Sequence, residues 1–175
     1  MYKLNDIRLY RERNGKKKLV IDTNLLVLLF VGLFDKTFLE KCQCTKKYTP
    51  NNYDLMIQIF RYFESEIIVT PHIIAELSNL SIRDIKEPKI HYYFNTIVNK
   101  LRSYKEEHIS LERLLGLEVK ILMKFGFPDM SIIEVAKKMD AVILSDDLAL
   151  CLYANSCKVP NFNFKNIISS ELITA

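Results

Sequence analysis

Glycine and proline are scarce. Four glycines and five prolines in 175 residues leave no material for long linkers or low-complexity tails, and no segment repeats at a fixed period. The chain therefore reads most simply as one domain, long enough to bury a core without staples. Long apolar runs are missing too. The stretch from Leu25 to Leu33 falls far short of the about 20 residues a membrane-spanning helix needs. The first residues are polar and charged before any apolar segment, which argues against a secretory signal, so a cytoplasmic protein without a membrane partner is expected. The four cysteines, Cys42, Cys44, Cys151 and Cys157, show no C-x-x-C spacing. In a reducing compartment they are expected to be free thiols.

What is present is ordinary globular material: 49% hydrophobic and 26% charged residues. The formal net charge is +4. Its distribution says more than its size. Arg8, Arg11, Arg13, Lys16, Lys17 and Lys18 crowd the beginning of the chain, with Lys46, Lys47 and Arg61 further along. Such clusters suit a polyanionic partner, although a solvated face is the commoner reason for a charge run.

The apolar pattern alternates between strand and helix. "KLVIDTN" reads as a strand buried on both faces, and "LLVLLFVGL" as a helix too apolar for the surface. "NNYDLMIQIFRYFES" has helical spacing, with Asn51 or Asn52 as its cap. "EIIVT" is a second buried strand, and "PHIIAELSNL" opens with the proline that suits a first helical turn. "KIHYYFNTIVNKLRSY" and "LERLLGLEVKILMKF" are amphipathic, with "EHIS" as a short strand between them. "DMSIIEVAKKM" is a helix with Asp129 at its start. "AVILS" is a third buried strand, "DDLALCLYANSC" a helix and "NFNF" an edge strand. Strands and helices in alternation predict a three-layer α/β/α sandwich with a mainly parallel sheet.

In such sheets ligands sit beyond the carboxyl ends of the strands. Asp22 ends the first strand, Asp146 and Asp147 follow the third, Glu76 lies in the helix after "EIIVT", and Asp129 opens the helix leading into "AVILS". The topology aims these acids at one crevice. Carboxylates packed together resist ionising without a compensating charge, and hard divalent cations such as Mg²⁺ or Mn²⁺ supply it through oxygen ligands. Each acid also has a plainer explanation. Asp129 and Asp147 could simply cap helices, and Glu76 could face solvent. Asp22 is the hardest to explain away, since it ends an apolar strand and Asn24 follows it.

The segments "LVIDTNLL", "VTPHIIAELSNL", "FGFPDMSIIEVAKK" and "AVILSDDLAL" resemble, in order, the four signature segments of the PIN-domain nucleases. The resemblance runs over nearly the whole chain from about Lys18, and divides it into a basic extension, residues 1–17, and a PIN-like domain, residues 18–175. It implies catalytic, metal-binding acids at Asp22, Glu76, Asp129 and Asp147, with Asn24 and Ser145 orienting them. Asp146 is an alternative metal ligand to Asp147, ranked second. It implies a Mg²⁺- or Mn²⁺-dependent endoribonuclease acting on single-stranded or structured RNA. Many such relatives are toxins neutralised by an inhibitor protein, the antitoxin, and a homodimer is a further expected partner. The long helical stretch between Glu76 and Asp129 and the basic extension depart from the compact toxins.

The acidic pocket alone repels RNA, so Lys46, Lys47, Arg61 and Asn79 are candidates to hold the backbone. Tyr48 and Tyr53 are candidates to stack on bases, although core packing explains most aromatics here. The rival from another class is a non-catalytic PIN-fold module that binds RNA or protein. A haloacid-dehalogenase-type phosphatase would want an acid where Asn24 stands, and a toprim-type nuclease an Asp-x-Asp pair where Asp146 and Asp147 are adjacent.

Overall fold

The computed structural model describes residues 3–15, 18–63 and 66–172; Lys16 and Lys17 of the basic cluster lie outside the described residues. Five parallel strands form one sheet in the order β3-β2-β1-β4-β5: β1 (Leu19–Ile21), β2 (Ile67–Val69), β3 (Lys105–Glu106), β4 (Val142–Ser145) and β5 (Asn161–Asn163). Helices cover both faces: α1 (Leu4–Asn14), α2 (Thr23–Phe34), α3 (Pro50–Phe63), α4 (Pro71–Asp84), α5 (Lys89–Leu101), α6 (Leu111–Leu115), α7 (Val119–Met139), α8 (Leu148–Ser156) and α9 (Phe164–Leu172). The architecture is the expected three-layer α/β/α sandwich, and the sheet is wholly parallel. No helix among the described residues is long and apolar enough to cross a membrane.

The central strands are buried on both faces because the helical layers cover them, so β1, β2 and β4 carry apolar residues at successive positions. The order of the sheet brings the C-terminal ends of β1 and β4 side by side, with Ile21 opposite Leu144. α2 is buried from Leu25 through Gly32, as its composition predicts. Gly32 is required there: a Cβ at that position would stand 2.2 Å from Cε2 of Tyr53.

Local chemistry sets the helix starts. Thr49, rather than Asn51 or Asn52, caps α3: its hydroxyl accepts from Asn52 N–H and the Asn52 side chain accepts from Thr49 N–H, a capping box with Pro50 at the first helical position. Thr70 caps α4, accepting from Ile73 N–H at 3.2 Å just before Pro71.

Three elements differ from the sequence pattern. The third strand is Lys105–Glu106 rather than "EHIS"; both residues are exposed, so no apolar alternation marks this edge. "LERLLGLEVKILMKF" is split, α6 ending at Gly116. α7 is broken at Gly126, whose φ of 76° lies in the left-handed region that glycine enters without steric cost. Asp129 consequently falls in the first turn of the second helical segment rather than at its cap. The segment expected as a basic extension contributes α1. Its Ile7 is fully buried in the same core as the sheet, Tyr10 meets Phe162 edge-on at 5.3 Å and Arg11 lies over the ring of Phe63.

Candidate metal centre

Two strand ends build the floor of the site. The N–H of Asp22 donates to the carbonyl of Leu144 at 3.0 Å, tying β1 to β4 where each strand turns into a helix. Asp22 is the N-cap of α2, its Oδ1 accepting from Asn24 N–H at 3.3 Å. Asp147 is the N-cap of α8, its Oδ1 accepting from Ala149 N–H at 2.6 Å and Leu150 N–H at 3.1 Å. Between them stands the Ser145 hydroxyl, which donates to Asp22 Oδ2 at 2.6 Å and accepts from Asp147 N–H at 2.9 Å. One buried oxygen thus sets the relative positions of two acids.

The other two acids come from helices. Glu76 sits in α4, where Thr23 Oγ1 donates to its Oε2 at 2.7 Å. Asp129 is carried by the second segment of α7, directly after Gly126, Phe127 and Pro128. That segment is fastened to the start of α4 by Ser131, whose Oγ lies 3.1 Å from Thr70 Oγ1 and donates to the Pro128 carbonyl at 2.6 Å.

The four acids feel one another. Burial raises the pKa of Asp22 to about 6, the Ser145 hydrogen bond pulling down while the charges of Asp146 and Glu76 push up. Asp129 rises to about 7, through burial first and then the charges of Asp22, Asp147 and Glu76. No cation of the protein figures among the causes for either group. The structure therefore brings Asp22, Glu76, Asp129 and Asp147 into one electrostatic unit.

Asp146 stands apart. It is 1% exposed, and its Oδ2 accepts from Lys47 Nζ and from the Tyr48 hydroxyl, each at 2.5 Å. Lys165 Nζ lies 3.8 Å away, and Oδ1 accepts from Asn24 Nδ2 at 3.2 Å. Burial pushes its pKa up, but the bonds from Lys47 and Tyr48 win and hold it below the ordinary carboxylate range.

Of the expected substrate-holding residues, Lys46 is exposed beside this corner. Lys47 is engaged by Asp146. Asn79 is exposed on α4, three residues past Glu76, on the same helix face. Arg61 lies in the last turn of α3 and borders a groove with Ile67, at the N-terminal edge of the sheet and away from the acids. Tyr48 and Tyr53 are 2% and 7% exposed, so neither ring is offered to a base: Tyr48 bonds Asp146, and Tyr53 packs on Gly32. Arg8 pairs with Glu12.

Sequence reasoning missed Thr23 and Lys165 as site residues, and offered Tyr48 as a stacking ring where the structure makes its hydroxyl a partner of Asp146. Only Thr23 left a local signal, a hydroxyl directly after the capping acid.

The donor set is all carboxylate oxygen, which suits a hard divalent cation, and two of its members are held above the usual carboxylate range by burial and by one another. Among the described residues, no three histidines, cysteines or acids are grouped so that they could hold a metal ion. In comparison with known proteins, no family model matches the chain and no curated protein matches it.

Proposed function

We propose that the chain is a divalent-metal-dependent endoribonuclease that hydrolyses phosphodiester bonds in single-stranded RNA. The observation that carries this reading is the gathering of Asp22, Glu76, Asp129 and Asp147 at the carboxyl ends of β1 and β4, with Asp22 and Asp129 raised in pKa by burial and neighbouring carboxylates. Buried like charges of this kind are costly unless function requires them.

Asp22, Glu76, Asp129 and Asp147 would hold Mg²⁺ or Mn²⁺. When bound, the cation would supply Lewis acidity, lowering the pKa of water and offsetting charge that develops on the phosphoryl group. The protein's own part is positioning. Ser145 and the Asn24 N–H hold the Asp22 carboxylate, and Thr23 holds that of Glu76. Such supporting bonds keep ligands aimed before the substrate arrives. The narrower toxin role, with an inhibitor protein over the acids, is not needed for this proposal.

The lack of such a grouping among the described residues favours a second reading, a non-catalytic PIN-fold module that binds RNA or protein. One experiment separates the two. A mixed single-stranded RNA pool is incubated with the wild type and Asp22→Asn, in Mg²⁺, Mn²⁺ or EDTA, with circular dichroism to confirm the fold. Cleavage that needs both metal and Asp22 is expected. Cleavage that survives in the folded variant refutes the site, and RNA binding without cleavage under any metal favours the module.

A further inference from the structure

Resting on the ribonuclease reading above, we propose that a groove across α4 from Glu76 takes a guanine base of the RNA strand, with Glu106 and Arg102 reading its two edges. The groove opens at the carboxyl ends of β2 and β3 and has a volume of about 590 Å³. Val69, Ile74 and Leu101 give it apolar walls, Tyr104 an aromatic one, and Arg102 and Glu106 its charges. A mostly apolar cleft of this size, with a few polar groups, is the usual setting for a small organic ligand.

The two charges are the informative part. Arg102 and Glu106 line one cavity, yet among the described residues no ion pair joins them and neither side chain is bonded elsewhere. The guanidinium donors and both carboxylate oxygens are left for a ligand. Burial does not explain Glu106 either, since β3 is exposed and takes its place by pairing with β2. Guanine alone among the four bases presents two adjacent N–H donors, at N1 and N2, beside two adjacent acceptors, O6 and N7. A carboxylate accepts the first pair with its two oxygens, and an arginine fork donates to the second. The Tyr104 ring adds a surface on which a base stacks.

The walls are fixed by the fold. Tyr104 N–H donates to the Leu101 carbonyl at 3.0 Å, closing the turn after α5, and Ser103 Oγ donates to the Lys100 carbonyl at 2.7 Å. Glu106 is held in register opposite Val69, whose carbonyl accepts the Glu107 N–H at 3.0 Å. Ile74 and Ser78, both lining the groove, lie nearly opposite Glu76 around α4 at its helical spacing. A strand seated by one guanine therefore crosses α4 to reach the acids, and the base that is read lies to one side of the bond that is cut.

Fluorescence anisotropy of short labelled strands tests this on the full chain, in EDTA so that nothing is cut. The wild type is expected to bind an oligouridine carrying one guanosine about 10-fold more tightly than strands carrying adenosine, cytidine or only uridine, the worth of one good bidentate contact. Glu106→Gln stands on an exposed strand and keeps the side chain's shape, so the fold is expected to survive. It turns an amide N–H toward the guanine donors and is expected to abolish the preference while leaving the affinity for oligouridine unchanged. Arg102→Gln is expected to lose the preference as well. No guanine preference in the wild type, or a preference untouched in either variant, overturns the inference and leaves the ribonuclease reading to its cleavage test. A preference for guanosine monophosphate over the other mononucleotides that is absent from strands overturns the assignment to RNA. No binding of any strand overturns both.

Discussion

As the N-cap of α2, Asp22 accepts the Asn24 N–H and the Ser145 hydroxyl, which favour its charged form, while burial and the charges of Asp146 and Glu76 disfavour it. Burial wins, so the folded pKa of about 6 exceeds the ordinary 3.8. The sign of the linkage follows. Between these values the folded state holds the proton that the unfolded state has lost, so this group lowers stability as pH rises through the window, and the loss is complete above the folded pKa. Asp22→Asn removes it. In EDTA, the stability gained by the variant over wild type is expected to grow from pH 4 to pH 7 and then level off, reaching about 3 kcal/mol at 1.36 kcal/mol per pKa unit. Urea melts at each pH measure it; a difference that does not change with pH would mean that Asp22 is not strained. Single residues were legible where strand ends and caps mark them: Asp22 and Asp147 cap helices at the ends of β1 and β4 with Ser145 between them, and Asp129 feels the charges of Asp22, Asp147 and Glu76. The state of Asp146 was not, because its partner Lys47 is 99 positions away and nothing local marks the pair.

Elements were legible where burial dictates composition and illegible where it does not. α2 and the three central strands announce themselves by unbroken apolar runs, since sheet and helix cover each other there. The edge strand Lys105–Glu106 is exposed, so its identity comes from pairing with Ile68 and Val69 and not from its own side chains. α1 was hidden for the opposite reason: its charged residues mask the few that dock it, Ile7, Tyr10 and the Arg11 guanidinium over Phe63. The contact between α2 and α3 rests on one absent side chain. With a Cβ on Gly32 set to meet Tyr53 at 2.2 Å, and Tyr53 only 7% exposed, the ring has little room to retreat. Gly32→Ala is expected to cost roughly 1–3 kcal/mol of stability by overpacking, and most of that cost should vanish in a Tyr53→Leu background, where the two changes couple. Equal costs in both backgrounds, in a double-mutant cycle followed by thermal melts, would show that the contact does not limit packing.

At the scale of the whole molecule the charge is divided. The formal net charge is +4, yet the crevice at the carboxyl ends of β1 and β4 is acidic, so a polyanion would be held by cations around it. The sequence showed which residues are basic but not on which edge of the sheet they lie. Arg61 looked equivalent to Lys46, and the topology separates them: α3 carries Arg61 toward Glu66, whose carbonyl bonds Leu19 N–H at the opposite, N-terminal edge. Lys46 stays on the loop whose next two residues reach Asp146. On the ribonuclease reading, Lys46 contacts a phosphate and Arg61 does not. Each phosphate neutralised on a single strand contributes about 0.7 to the slope of log affinity against log salt. Lys46→Ala is therefore expected to weaken binding of a single-stranded RNA at low salt and to flatten that slope by about 0.7, while Arg61→Ala leaves both unchanged. Fluorescence anisotropy across a salt series, in EDTA so that no strand is cut, reads the two variants side by side. If Arg61→Ala flattens the slope and Lys46→Ala does not, the nucleic acid runs along the other edge of the sheet, and the acids at Asp22 and Asp129 lie outside its path.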